Sequence, residues 1–196
     1  MKQNYIIFGV ILLIAMVAVV VFSSWFGGAE IGYGPSDGTV PDINRTLPST
    51  PNLDATIRTG VEERINEMKA LIKENPDQLD PWIELGLQWK VLGDIEGTRQ
   101  AWEYASFIRP NNSLSFGNLG HLYAHELNDL VLAESNYKTA IANDPTLEYM
   151  YGQIFELYHY LLKDDAKARA VLEEGLKHVE SKENLFALIA QLEDGE

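Results

Sequence analysis

The chain has 196 residues, 29 acids against 15 bases, and no cysteine. That length allows one folded domain plus accessories, and the absence of thiols excludes disulfides, Cys-ligated zinc or iron–sulfur centres and a cysteine nucleophile. A net charge of −14 argues against a nucleic-acid partner, because phosphate tracking needs clustered Lys and Arg.

Residues 1–4 carry Lys2 and the α-amino group, and residues 5–26 then form an apolar run without a charged side chain. As a helix this run would span ~33 Å at ~1.5 Å per residue, which matches a hydrocarbon core of ~30 Å. Tyr5, Trp25 and Phe26 stand at its two ends, where an aromatic belt would lie. A cleaved signal peptide is the alternative, with Val21-Phe22-Ser23 or Gly27-Gly28-Ala29 as the small-residue site, although its apolar region is usually ~7–15 residues. Lys2 precedes the run, whereas Glu30, Asp37 and Asp42 follow it before Arg45. Positive charge stays inside, so the expected topology is a single-pass membrane protein with a cytoplasmic amino terminus and an extracytoplasmic remainder, periplasmic or on the cell surface.

Residues 27–58 are punctuated by Gly27, Gly28, Gly32, Gly34 and Gly38 and by Pro35, Pro41, Pro48 and Pro51, without apolar periodicity. They read as a flexible linker with an r.m.s. reach of ~30 Å. Gly32-Tyr33-Gly34 with Gly38 has the wrong spacing for a dinucleotide loop.

Beyond the linker, Pro76, Pro110 and Pro145 recur at intervals of 34 and 35 residues, each closing an amphipathic run. The intervening segments share a pattern. The first reads Trp82, Leu85-Gly86, Trp89, Thr98, Trp102, Ala105 and Pro110. In the second the same places hold Phe116, Leu119-Gly120, Tyr123, Ala133, Tyr137, Ala140 and Pro145, and in the third Tyr151, Ile154-Phe155, Tyr158, Ala168, Leu172 and Gly175. These residues resemble the tetratricopeptide repeat (TPR), a helix–turn–helix unit of ~34 residues. The resemblance implies an all-α fold, a right-handed superhelix of antiparallel helix pairs, with roughly eight helices in all. The repeats would span 79–112, 113–147 and 148–181, the last degenerate. A half-repeat at 53–78, opened by a Thr59–Glu62 capping box, and a helix at 182–196 begun by Ser181 would cover the ends. Repeat one turns at Gly93-Asp94, whereas repeats two and three use one more residue around Asn128-Asp129 and Lys163-Asp164.

In this family the aromatic and small positions pack helix on helix, and the other face of each first helix lines a concave groove. That register assigns Ile83, Glu84, Leu87, Lys90 and Val91 to the groove. It adds Gly117, Asn118, His121, Ala124 and His125 from repeat two, then Tyr149, Gly152, Gln153, Glu156, His159 and Tyr160 from repeat three. Such a surface suits a protein or peptide segment held by stacking and hydrogen bonds. The family's carboxylate clamp of lysines, an arginine and asparagines is matched only at Asn118, so that mode is rejected. His121 and His125, four apart, have a spacing that binds metals, and Glu156 and His159 would approach from the next helix. Glu126 is expected on a different face, and neither a zincin motif nor a cysteine is present, so no metal is expected. No nucleophile–base pair or phosphate loop is present, so neither an enzyme, a cofactor nor a small-molecule substrate is expected.

The expected function is a membrane-tethered adaptor or scaffold that captures a protein segment in envelope assembly or secretion. Two alternatives stand beside it. The Glu74-Asn75-Pro76-Asp77 to Pro110 stretch is similar to the periplasmic TPR domain of bacterial cytochrome c maturation factors, which present apocytochrome. The array would otherwise be a fixed structural subunit of a membrane complex.

Overall fold

A computed structural model describes residues 38–50 and 52–194. The expected cytoplasmic terminus 1–4, the membrane helix 5–26 and the linker up to residue 37 lie outside the described residues. Among the described residues the fold is all-α, and no helix is long and apolar enough to cross a membrane.

Helix α1 (Ala55–Glu74) buries Val61, Ile65, Met68 and Ile72, one face at helical spacing. Its start corrects the capping-box expectation. Asp54 caps it, accepting from the amides of Thr56 and Ile57 at 2.8 and 3.2 Å, while the Thr59 hydroxyl bonds back to the Ala55 carbonyl inside the helix. The first six helical residues are mostly exposed, so apolar periodicity begins only at Val61 and hides the true start. Helices α2 (Leu79–Val91), α3 (Ile95–Ile108), α4 (Ser113–His125), α5 (Leu130–Asn143) and α6 (Glu148–Glu156) follow. A π-helical turn over Leu157–Leu161 continues α6, and α7 (Asp165–Gly175) and α8 (Glu183–Asp194) complete the unit. Ser181 lies just outside α8, its hydroxyl on the Glu183 carboxylate. Each helix packs mainly on its neighbours in the chain, and Asn75, Arg109 and Asp144 leave helical dihedrals ahead of their prolines.

Within each pair the reversal uses the same hydrogen bond with a different residue count. The amide of Asp94 reaches back five residues to the Trp89 carbonyl (2.9 Å), whereas Asp129 and Asp164 reach back six, to Tyr123 and Tyr158 (2.8 Å each). Each turn needs one left-handed residue just before the aspartate. Gly93 (φ +76°) takes it freely, but Asn128 (φ +52°) and Lys163 (φ +55°) take it at a cost. The three aspartates then cap α3, α5 and α7 on the amides of Gly97, Leu132 and Lys167.

The helices close onto one another through size-matched positions. A Cβ at Gly86 would lie 2.3 Å from the Trp102 indole nitrogen, and one at Gly120 would lie 2.6 Å from the Tyr137 ring. In the third pair the large residue moves to the first helix: Phe155 stands where the glycine would be and Leu172 where the ring would be, both fully buried. Trp82, Leu85, Trp89, Ala105, Leu119, Tyr123, Ala133, Ala140, Tyr151, Tyr158 and Ala168 are buried as well. The proline turns are tied by side-chain donors. The Trp82 indole donates to the Pro76 carbonyl (2.7 Å) and the Tyr151 hydroxyl to Pro145 (2.9 Å). Phe116 has no side-chain donor for this task, and Asn143 serves the Pro110 carbonyl in its place (3.0 Å).

Within the stretch expected as a linker (27–58), residues 38–50 lie against the first helices and the helix already begins at Ala55. Ile43 and Leu47 pack on the core of α1 to α3 together with Leu53, while Asp42, Asn44 and Thr46 face outward. This is the two-residue period of an extended chain. It spans too few residues, among too many turn formers, to stand out in the sequence.

Candidate functional site

Helices α2, α4 and α6 each have one side buried among their neighbours, and most of the expected groove residues lie on what remains. Leu87 and Val91 of α2 are exposed (46% and 44%), as is Tyr149 of α6 (51%). His125, Glu156 and Tyr160 are exposed too, and Ile83, Glu84, Lys90, Asn118, Gly152, Gln153 and His159 are half-buried. Two expected groove residues do not belong. Ala124 is buried, and Gly117 is covered by the Met150 methyl group, which a Cβ would meet at 2.0 Å.

Two polar clusters organise this surface. In the first, Lys90 of α2 points its Nζ at His121 Nδ1 of α4 (3.3 Å) and at the Glu126 carboxylate (3.6 Å), and the His121 and His125 rings lie 4.5 Å apart. Glu126, placed by the sequence on a different face, is therefore a member of this cluster. Burial, then Lys90 and His125, lower the His121 pKa below the ordinary imidazole value, and Glu126 works in the opposite direction. The ring is therefore held neutral at pH 7 and has a lone pair or an N–H to offer.

The second cluster surrounds the π-helical turn. His159 stacks on Phe155 (5.3 Å, 19° between planes) and meets Asp165 through Nδ1 at 2.5 Å. The Tyr160 hydroxyl accepts from the Gln191 side chain at 2.5 Å. Wide-turn hydrogen bonding rotates residues after 156 away from the α-helical register. Of the two residues expected to approach His121 and His125, His159 instead turns to Asp165, at the start of α7. Among the described residues no group of three or more His, Asp or Glu could hold a metal ion.

Two open clefts lie elsewhere on the helical unit. One, of about 460 Å³, lies between α1 and α2 with Arg64, Met68, Ile83 and Glu84 on its walls. Arg64 bonds Glu84 (3.2 Å) and Glu67 (2.7 Å) there. The other, of about 470 Å³, runs between α6 and α8 past Leu147, Tyr149, Gly152, Leu185 and Leu188. Arg64 and Gln191 lie outside the repeat register, 20 and 31 residues from the partners they meet, so no local pattern announces them. Compared with known proteins, the chain matches no protein-family model, and no curated protein is significantly similar to it.

Proposed function

We propose that this chain is a TPR-type helical-repeat adaptor, anchored in a membrane by residues 5–26 with the repeats outside the cytoplasm, that holds an extended segment of a partner protein along the free sides of α2, α4 and α6. The observation that carries the reading is the exposure of Leu87, Val91 and Tyr149 on helices whose opposite sides, at Trp82, Leu85, Trp89 and Tyr151, are completely buried. Apolar side chains at the two ends and hydrogen-bonding groups between them (Lys90, Asn118, His121, Gln153) match what a peptide backbone with spaced side chains requires. The work is binding without turnover, and tethering raises the local concentration of the groove near membrane partners.

Photo-crosslinking in cells tests this. A benzophenone amino acid at Leu87 or Tyr149 is expected to trap the same protein, and one at Val131, 69% exposed on α5, is expected not to. Trapping mainly from Val131 and Phe186 would instead support the fixed-subunit alternative.

A further inference from the structure

The segment 38–50 is held by one residue more than by any other. Arg45 points inward between Ile43 and Leu47; its Nε meets the Asp94 carboxylate at 2.6 Å, its Nη1 donates to Gln100 at 2.8 Å, and its guanidinium lies 5.5 Å from the centre of the Trp89 ring. Asp94 is itself buried and caps α3, so the arginine neutralises a carboxylate that the fold already needs in place. At the near end Gly38, with φ +69°, rests against the Phe107 ring, where a Cβ would come within 2.5 Å. At the far end Arg58 of α1 donates to Thr50. The segment is therefore fixed at both ends and in the middle, on α3 and the core beneath it.

We propose that residues 38–50 are a strap with Arg45 as its latch: the segment docks on α3 and the core beneath it as one piece, and loss of the Arg45 contacts to Asp94, Gln100 and Trp89 releases all of it.

Because the chain has no cysteine, single and paired labels can be placed at will on the full-length protein. Spin labels at Asn44→Cys and Lys73→Cys, both exposed positions, are expected to give one narrow distance distribution. Arg45→Glu sets a carboxylate against Asp94 and Glu96 and is expected to lower the docked-to-released ratio about tenfold or more, which broadens that distribution; Gln100→Ala should do so partially. A broad distribution in the parent would overturn the strap, and an unchanged narrow one in Arg45→Glu would overturn the latch.

Discussion

Gly86→Ala tests the packing of the first hairpin most directly. In a helix interior alanine is favoured over glycine by about 1 kcal/mol, so on propensity alone the change should stabilise. The structure reverses the sign. The new methyl carbon would lie 2.3 Å from the Trp102 indole nitrogen, and Trp102 is nearly fully buried, with its N–H on the Ile83 carbonyl at 3.0 Å. Overpacking costs about 1–3 kcal/mol, and breaking the indole bond in a buried place costs about 1–3 kcal/mol more. The net loss is about 1–5 kcal/mol with a midpoint near 3, or roughly 8 °C in melting temperature for a unit of this size. The decisive comparison is the same substitution in a Trp102→Leu background, which copies the leucine that the third pair carries at Leu172. There the methyl meets no ring, and Gly86→Ala should be neutral or stabilising by up to about 1 kcal/mol. Urea unfolding followed by circular dichroism on the four proteins gives the coupling, expected near 3 kcal/mol. Equal losses in the two backgrounds would refute the claim that this glycine exists to admit the indole.

Other consequences are measurable in the same way. Lys163 adopts a left-handed conformation that an L side chain resists, so Lys163→Gly should stabilise by about 0.5–1 kcal/mol, with a smaller gain for Asn128→Gly, since asparagine tolerates that region. The depressed His121 pKa means that the unfolded chain binds a proton more readily than the folded one. Stability is then lost as pH falls from the unfolded value of ~6.5 toward the lower folded value, and His121→Gln should flatten the stability profile in that window. The Tyr123 hydroxyl donates to Glu103 at 2.7 Å in a buried place where Arg99 also reaches the carboxylate. Tyr123→Phe should cost about 1–2 kcal/mol, and a loss under about 0.3 kcal/mol would mean that Arg99 alone satisfies the acid.

Helix positions were legible because burial imposes a period: Val61, Ile65, Met68 and Ile72 can share a core only on a helix, and three prolines spaced 34 and 35 residues apart mark where the chain must reverse. The extra residue in the second and third turns was legible too, as a count between Tyr123 and Ala133 and between Tyr158 and Ala168. What those turns do with it was not, because asparagine and lysine do not announce a left-handed backbone as glycine does. The site was readable only in part. Register alone put Leu87, Val91 and Tyr149 toward solvent, but it assumed an unbroken α-helix through Tyr160, and the π-helical turn changes the partners of His159. Contacts that join residues far apart in sequence, such as Arg45 to Asp94 and Tyr160 to Gln191, leave no local trace, since neither partner needs the other to complete its own secondary structure.

The second helices show why residue-by-residue comparison understates the internal repetition. Thirty-five residues apart, Arg99 corresponds to Glu134 and Glu103 to Lys138, so aligned positions carry opposite charges and would score as unrelated. Yet each pair is an i,i+4 ion pair on the same helical face, and each offers one carboxylate to the tyrosine of the following first helix. Glu103 accepts from Tyr123 at 2.7 Å, and Glu134 accepts from Tyr158 at 2.9 Å. Because i and i+4 occupy one face, the acid can sit at either end of the pair and remain within reach of the phenol. The same freedom appears where Asn143 replaces an aromatic donor at Pro110, and where Phe155 and Leu172 exchange large for small. What recurs is the requirement at each joint, a filled volume or a satisfied donor. A chain under that requirement alone can keep its helical pairs while the residues at corresponding joints differ.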